Sequence, residues 1–292
     1  MTTLMSGKAL ATGIIAVVAV AAGLTAFFLW QNNSLMVTRY TYSSPRVPAA
    51  FDGYSILHLS DLHNKSFGEG QSILLERMEV LDPDLIVITG DLIDRRRFDL
   101  DTAMELIDGA VEMAPVYFVA GNHEAWSGKY DRVKEVLQKA GVVVLDNEAV
   151  QIQKEEDHIH LLGLQDPAFL VSGYRKKWDP IHVTNQLAEW DELEEMTILL
   201  SHRPDLFSNY AQSQAELVFS GHAHGGQIRL PAIGSLFAPD QGFFPAYTEG
   251  VYTEEGTTMW VSRGLGNSLF PLRVFNRPEL VLVTLERQET NT

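Results

Sequence analysis

The 292-residue sequence contains no cysteine. This absence excludes disulfide bonds, thiolate zinc sites, iron–sulfur clusters and cysteine nucleophiles. Any bound metal must therefore be held by nitrogen and oxygen atoms of His, Asp, Glu or Asn side chains. Without cysteines, the composition gives no information about the redox compartment.

Basic residues are scarce, since 22 Lys and Arg stand against 38 Asp and Glu and give a formal net charge of −16. Such a body repels nucleic acid over most of its surface, so we expect no DNA- or RNA-binding function. A local cationic pocket is compatible with this composition. The triplet Arg95-Arg96-Arg97 is either an anion-binding stretch of that kind or a solvated turn.

One long hydrophobic run stands at the N-terminus, where residues 9–30 contain no charged side chain. A helix of this length crosses a hydrocarbon core of about 30 Å, and Trp30 suits a membrane–water interface. A cleaved signal peptide and a buried soluble helix are the alternatives. The Ala-x-Ala triplet at 19–21 lies inside the apolar run, which favours an uncleaved anchor.

The flanks of this run bear on its orientation. Lys8 precedes it, Arg39 and Arg46 follow it, and no twin-arginine pair comes before it. We expect a single-pass protein of the cell membrane whose C-terminal body lies outside the cytoplasm. The sequence divides into an anchor over residues 1–31, a linker with a leading strand over 32–50, and a folded domain over 51–292.

The folded domain alternates strand-like and helix-like segments, and 46% hydrophobic residues are enough for a sizeable core. This α/β pattern predicts parallel strands with right-handed crossovers, in two packed sheets with helices outside. The predicted strands are 54–60, 84–89, 116–119, 197–201, 216–220, 226–231, 257–262 and 279–285. Residues 142–145, 149–153 and 158–164 predict a more antiparallel region. The predicted helices are 71–81, 99–113, 129–139, 184–194 and 205–212.

Polar clusters directly follow five of the predicted strands. Their sequences are DLH at 61–63, GDLID at 90–94, GNHE at 121–124, SH at 201–202 and GHAH at 221–224. Ligands of open α/β sheets bind at this carboxyl edge. Residues two apart at a strand end face the same way, which pairs Asp61 with His63 and His222 with His224.

These clusters supply an oxygen and nitrogen donor set of the kind that divalent transition metals accept. The candidate ligands are Asp61, His63, Asp91, Asn122, His202, His222 and His224. Seven ligands suit two ions that share one carboxylate. Ions about 3.5–4 Å apart stabilise both the attacking and the leaving oxygen in phosphoryl displacement, and they activate water as hydroxide. Mn, Fe and Zn all fit such ligands.

The five motifs, in this order, resemble the signature of calcineurin-like metallophosphoesterases. The resemblance implies a four-layer αββα sandwich over residues 51–292, behind the N-terminal transmembrane helix. It implies that Asp61, His63 and His224 bind one metal, that Asn122, His202 and His222 bind the second, and that Asp91 bridges them. A metal-bridged hydroxide would attack phosphorus. His123 would protonate or stabilise the leaving oxygen, and Asp94 would orient His123.

A narrower resemblance is carried by GHAHGGQIRLP, SRGLGNSLFPLR and NRPEL. These segments are similar to a bacterial membrane-anchored branch that includes UDP-2,3-diacylglucosamine pyrophosphatases and cell-envelope phosphoesterases. The branch implies a phosphodiester or pyrophosphate substrate, with a lipid-linked molecule as one option. A phosphomonoesterase or protein phosphatase with the same metals is the alternative within enzymes. A non-catalytic metal-binding scaffold is the alternative outside them.

Several residues have both a functional and a structural interpretation. Arg95, Arg263 and Arg273 either contact substrate phosphate or hold the fold together. Glu124 either tunes His123 or is an acid at the start of a helix. Four apolar residues either form a rim for an acyl chain or pack in ordinary loops: Leu236, Phe237, Phe243 and Phe244. The oligomeric state is left open.

Overall fold

Two six-stranded sheets form the centre of the protein in a computed structural model that describes residues 7–173, 176–268 and 270–289. The helices are α1 (Gly7–Asn33), α2 (Ser72–Leu81), α3 (Leu100–Val111), α4 (Asn122–Ser127), α5 (Tyr130–Lys139), α6 (Ile181–Ala188) and α7 (Phe207–Ala211). The strands are β1 (Met36–Ser44), β2 (Ser55–Leu59), β3 (Leu85–Ile88), β4 (Val116–Phe118), β5 (Val143–Val144), β6 (Glu148–Lys154), β7 (Asp157–Leu164), β8 (Thr197–Ser201), β9 (Leu217–Ser220), β10 (Arg229–Leu230), β11 (Gly234–Ser235), β12 (Phe237–Ala238), β13 (Gly242–Phe243), β14 (Gly250–Glu254), β15 (Thr257–Val261) and β16 (Glu279–Arg287).

The first sheet has the strand order β1-β16-β2-β3-β4-β5. Strands β2 to β5 run parallel, and β16 is antiparallel to β2. Strand β1 runs parallel to β16 along its whole length, from Met36 opposite Glu279 to Ser44 opposite Arg287. The strand predicted within residues 32–50 is therefore hydrogen-bonded into the same sheet as strands of the folded domain over residues 51–292.

The second sheet has the order β14-β15-β9-β8-β7-β6. Its four inner strands are parallel, and its two outer strands are antiparallel to their neighbours. Two short hairpins, β10–β11 and β12–β13, follow β9 and lie outside both sheets.

Three layers of buried apolar side chains pack between the sheets and the helices. Between the sheets, Ile56 and Val87 pack with Phe219 and Trp260, whose rings stack with centroids 5.8 Å apart. A second cluster joins the other face of the first sheet to α2, α3 and α5, and a third joins the second sheet to α6 and α7. This arrangement confirms the four-layer αββα sandwich.

Local sequence explains why these segments take their forms. All four residues of β3 are buried, as expected for an inner parallel strand covered on both faces. Helix α3 begins after Asp99, whose side chain accepts a hydrogen bond from the Thr102 amide. Its buried residues recur at the spacing of one helical face, as Ala103, Leu106 and Ala110 show.

Helix α1 differs from the other helices because most of its apolar side chains are exposed. The most apolar stretch within Leu10–Asn33 has a mean hydropathy of 2.3, and none of it is buried. A helix of 24 residues is about 36 Å long and exceeds a hydrocarbon core of about 30 Å. By length and composition, α1 can cross a membrane.

Three secondary-structure predictions need correction. The predicted strand 226–231 is confirmed only at Arg229–Leu230 (β10), because Gly226 and Gln227 have positive φ and lie in a tight turn. The predicted helix 184–194 lies at Ile181–Ala188, where Pro180 precedes its first turn. Residues Val143–Val144 do not join the antiparallel pair β6–β7 but extend the first sheet parallel to β4.

Candidate metal centre

The carboxyl ends of β2, β3, β4, β8 and β9 converge where the two sheets face each other. Contacts between loops of different sheets show this directly. The His202 ring donates through Nδ1 to the Thr89 carbonyl at 2.6 Å. The His222 amide donates to Asp61 Oδ2 at 3.0 Å. The polar clusters that follow these strands therefore form one site, as the sequence predicts.

One group of side chains in this site contains Asp61, His63, Asp91 and His224, whose potential ligand atoms all lie within 4.8 Å of one another. The Nε2 atoms of His63 and His224 face each other at 3.1 Å. His224 Nε2 lies 3.3 Å from Asp61 Oδ1, and His63 Nε2 lies 3.4 Å from Asp91 Oδ2.

A second group contains Asp91, His202 and His222. His202 Nε2 lies 3.4 Å from Asp91 Oδ2 and 3.1 Å from both Asn122 Oδ1 and His222 Nδ1. Asp91 belongs to both groups. The structure thus brings all seven candidate ligands together, with the Asp91 carboxylate between the two sets.

The donor atoms fit cations. Nδ1 of His202 donates to a carbonyl, which leaves Nε2 as the lone-pair nitrogen of a neutral ring. The facing Nε2 atoms of His63 and His224 can share only one proton between them, whereas cations accept lone pairs from both. Nδ1 of each of these two rings is buried and has no hydrogen-bond partner among the described residues. Imidazole and carboxylate donors in this number suit divalent transition metals.

Burial and charge act against each other in the site. All seven candidate ligands are buried, and Asp61 and His202 are fully so. Burial raises the pKa of Asp61 and Asp91, but the neighbouring imidazoles outweigh it and hold both pKa values below their usual range. Burial also lowers the pKa of His224 to about 3. The carboxylates are therefore ionised in a region from which water is excluded, which favours bound cations.

Five of the seven candidate ligands have a left-handed backbone. Their φ values are 55° at Asp61, 48° at His63, 53° at Asp91, 64° at His222 and 50° at His224. Positive φ is uncommon for residues other than glycine and costs about 1–3 kcal/mol per residue. Such strain concentrates at functional sites, because the surrounding structure has to enforce it.

Glycines bring the backbone close to both carboxylates. A Cβ atom on Gly121 would overlap Asp91 Oδ1, and one on Gly221 would overlap Asp61 Oδ2 and the Ser60 hydroxyl. The glycines before Asn122 and His222 are thus required by close approach. Gly90 adds a positive φ of 86° immediately before Asp91.

Glu124 holds two of the loops together. It is fully buried, and its carboxylate accepts hydrogen bonds from the amides of Asp91 (2.8 Å), Ile93 (3.2 Å) and Gly121 (2.8 Å). Burial, followed by the negative charge of Asp91, raises the pKa of Glu124 to about 7. The sequence left its role open, and the structure shows a contact with the backbone of Asp91.

His123 lies beside Asp91, and its amide donates to Asp91 Oδ1 at 2.7 Å. The Arg95 amide donates to His123 Nδ1 at 3.2 Å, so the neutral ring carries its proton on Nε2. Burial lowers the pKa of His123 to about 4, which favours this neutral form. His63 packs against it with ring centroids 4.4 Å apart.

Asp94 lies next to His123, but no hydrogen bond joins the two side chains. Asp94 Oδ1 lies 3.6 Å from His123 Nδ1, which is beyond hydrogen-bond distance. Asp94 instead accepts from Arg96 through Nε at 3.0 Å and Nη2 at 2.9 Å. The Arg95 amide, rather than Asp94, bonds to the histidine ring.

The three candidate phosphate-binding arginines lie in different surroundings. Arg95 lines a cavity of about 620 Å³ next to Asp91 and His123. Arg263 pairs with Glu249 instead. Arg273 is fully buried and donates to the carbonyls of Arg263 and Gly266. The latter two guanidinium groups do not line this cavity, so a substrate role is not supported for them.

Two residues at the site had no signal in the sequence. Asp240 Oδ2 lies 3.0 Å from His222 Nε2, which leaves Nδ1 of that ring as the nitrogen that faces His202. Arg203 lines the cavity and pairs with Asp166 at 2.8 Å and also with Asp240. Asp240 lies in the turn of the β12–β13 hairpin, where neither periodicity nor a metal-ligand motif marks it.

Replacing Glu124 with glutamine tests whether this side chain positions Asp91. The amide of Glu124→Gln has one acceptor oxygen for three backbone N–H groups, so the loop should shift. We expect metal affinity to fall about 10- to 100-fold, as for other groups that orient ligands. Calorimetric titration with Mn²⁺ measures the change. Glu135→Gln alters an exposed glutamate and should bind like the parent; equal affinity in both variants would contradict the positioning role.

Comparison with known proteins agrees with this geometry. Residues 54–226 match the calcineurin-like phosphoesterase family. The chain is 31% identical to the uncharacterized metallophosphoesterase YkuE of Bacillus subtilis over 265 residues, which covers 88% of this chain and 87% of that protein. It is 29% identical over 244 residues to the phosphodiesterase YaeI of Escherichia coli, which covers 80% and 82% of the two chains.

A solved structure shares the fold at low sequence identity. The sulfate thiohydrolase SoxB of Thermus thermophilus, in complex with glycerol, has a TM-score of 0.51 and 12% identity over 81% of this chain and 57% of that chain. The family match spans the five loops from Asp61 to His224 that form the buried site. The chain therefore belongs to the calcineurin-like phosphoesterase family, whose members are metal-dependent hydrolases of phosphoric esters.

Proposed function

We propose that this protein is a dinuclear phosphodiesterase or pyrophosphatase that works at a membrane. The observation that carries the proposal is the position of Asp91, whose carboxylate belongs to both groups of candidate ligands. One ion would be held by Asp61, His63 and His224, and a second by Asn122, His202 and His222, with Asp91 shared between them. Mn, Fe and Zn are the candidate metals.

Two such ions, when bound, supply Lewis acidity that activates water and neutralises charge on the phosphoryl group. The protein's own contribution is to hold the donor atoms in place before substrate arrives. Glu124 fixes the backbone of Asp91, and Asp240 fixes the ring of His222. Preorganised groups of this kind need no rearrangement during the reaction.

His123 would act by stabilising the leaving oxygen. Its Nδ1 accepts the Arg95 amide, so the neutral ring would donate a hydrogen bond from Nε2 to that oxygen as negative charge develops on it. Its ring lines the same cavity as Asp91 and Arg95. The Arg95 guanidinium would bind a phosphoryl oxygen on the cavity side. Asp94 and Arg96 together hold the loop that presents the Arg95 amide.

The cavity favours a substrate with groups on both sides of the phosphorus. At about 620 Å³, with Trp126, Trp178 and Phe237 in its walls, it has apolar surface beyond what a phosphate monoester needs. The relative YaeI is named a phosphodiesterase. A monoesterase with the same metal site is the second candidate, because the ligand groups alone suit either reaction.

Helix α1 supports a membrane location for the proposed activity. Its most apolar stretch is unburied, and we propose that it is an uncleaved anchor of the cell membrane with residues 51–292 as the extracytoplasmic catalytic domain. A lipid-linked or cell-envelope phosphate ester follows as the substrate class, because the anchor keeps the site near the bilayer.

A substrate panel separates the candidate reactions. The full-length protein with added Mn²⁺ should hydrolyse bis-nitrophenyl phosphate faster than nitrophenyl phosphate, and a chelator should abolish both activities. Absorbance of released nitrophenol gives the rates. A large excess of monoester hydrolysis would favour the second candidate. Inactivity on every ester after reconstitution, with less than about one tightly held metal per chain, would contradict the proposal that the protein is a metal-dependent enzyme.

His123→Ala tests the role of His123 at the leaving oxygen. We expect kcat to fall by about 10²–10³, the usual cost of removing one hydrogen-bond donor to a developing oxyanion, while the metal content by elemental analysis stays at that of the parent protein. His182→Ala removes an exposed histidine and should retain full activity. If His123→Ala loses its metals, His123 is a ligand and its assignment to the leaving oxygen is wrong.

A further inference from the structure

An exposed apolar surface lies beside the site and is not used by the proposed chemistry. We call it the apolar collar and define it by Leu230, Ile233, Phe243, Phe244, Phe270 and Phe275. Phe243 is 77% exposed and Phe244 is 69% exposed. Every exposed phenylalanine in the described part of the chain lies between residues 237 and 275. Exposed aromatic clusters of this kind mark a binding surface.

The collar is continuous with the end of α1. The rings of Phe27 and Phe275 meet edge to face with centroids 5.5 Å apart. Phe275 in turn lines a groove with Leu230 and Ala232, at the hairpin that carries Ile233. The collar therefore begins beside the C-terminal part of α1.

Hydrogen bonds fix that point on the body. The Asn276 amide donates to Gln31 Oε1 at 3.0 Å, and Asn267 Nδ2 donates to Asn32 Oδ1 at 2.9 Å. Gln31 is buried in this contact. Because these hydrogen bonds join the end of α1 to Asn267 and Asn276, the helix would set the depth of the collar relative to a membrane surface.

Charge at this boundary agrees with a membrane surface. The Arg277 guanidinium lies 4.9 Å from the ring centroid of Trp30, a pairing suited to the headgroup level. The body is otherwise acidic, with a formal net charge of −16 for the whole chain. Electrostatic attraction to anionic lipids would therefore be weak, and the collar would have to act by burying apolar side chains.

An apolar cleft lies between the collar and the metal centre. It encloses about 240 Å³ between Ile228, Leu236, Phe237 and Phe270. Phe270 belongs to the collar, whereas Phe237 and Ser268 also line the cavity that Asp91 lines. The cleft therefore adjoins both the exposed phenylalanines and the cavity of the metal centre.

We infer that the apolar collar lies in the lipid leaflet and that the cleft takes a hydrocarbon chain of a membrane-resident phosphate ester. The phosphate then reaches the Asp91 site from the leaflet rather than from bulk water. This inference rests on the proposed function, because it assumes hydrolysis at Asp91. It adds the route by which the substrate enters and the cleft in which its hydrocarbon chain binds.

The absence of cysteine allows a direct test of collar depth. Phe244→Cys, and Glu156→Cys as control, are labelled with a nitroxide in the full-length protein in phosphatidylcholine vesicles. Glu156 is exposed in the β6–β7 turn, at the amino end of β7 and away from the site. We expect oxygen to relax the label at 244 more than a water-soluble nickel chelate does, and the reverse at 156. Stronger relaxation by the nickel chelate than by oxygen at both positions would show that the collar lies in water, which would overturn the inference.

Chain-length dependence tests the cleft. In a series of alkyl nitrophenyl phosphates, kcat/KM should rise at least about tenfold from methyl to octyl, because added methylenes are buried. Ile228→Trp fills the cleft and should bring this ratio towards one, whereas Ile73→Trp, on exposed α2 surface, should keep it. If Ile228→Trp keeps the parental metal content and leaves the octyl-to-methyl ratio of kcat/KM unchanged, the cleft does not bind the hydrocarbon chain and the inference is overturned.

The two proposals fail in different ways. If even the methyl ester is not hydrolysed, the proposed function is wrong, and the nitroxide measurement still decides whether the collar lies in lipid. If all esters are hydrolysed at the same rate, the proposed function stands and the lipid route is wrong.

Discussion

The Asp91 carboxylate faces imidazoles from both sheets, and the rest of the site is arranged around this contact. Its Oδ2 atom lies 3.4 Å from His63 of the first sheet and 3.4 Å from His202 of the second. Its Oδ1 accepts the His123 amide, and its own amide donates to Glu124. One buried side chain thus ties three loops and both sheets together.

The contact of Asp91 with both sheets requires uncommon backbone conformations in the surrounding loops. Left-handed conformations at Asp61, Asp91 and His222, and glycines that leave room for the carboxylates, bring the loops closer than ordinary side chains allow. These conformations each cost about 1–3 kcal/mol, and the buried carboxylates repel each other. The apolar layers around the sheets offset part of these terms, and bound cations would offset more, so metal binding and stability of the loops should be coupled.

The sequence was sufficient for much of this site because each ligand motif directly follows a buried strand, and parallel strands present their carboxyl ends at one edge. It was insufficient for contacts and backbone conformations that no motif encodes. Asp94 lies 3.6 Å from His123, but its hydrogen bonds go to Arg96, two residues away. Asp240 reaches His222 from the turn of the β12–β13 hairpin. The strand predicted over 226–231 is reduced to Arg229–Leu230, because positive φ at Gly226 and Gln227 keeps those residues out of the ladder.

The sharing of Asp91 by two cations is the central claim, and anomalous diffraction from crystals grown with Mn²⁺ tests it most directly. The account predicts two anomalous peaks about 3.5–4 Å apart, one near His63 and His224 and one near His202 and His222, with a carboxylate oxygen of Asp91 in contact with each. A single peak, or two peaks of which only one touches Asp91, would contradict it.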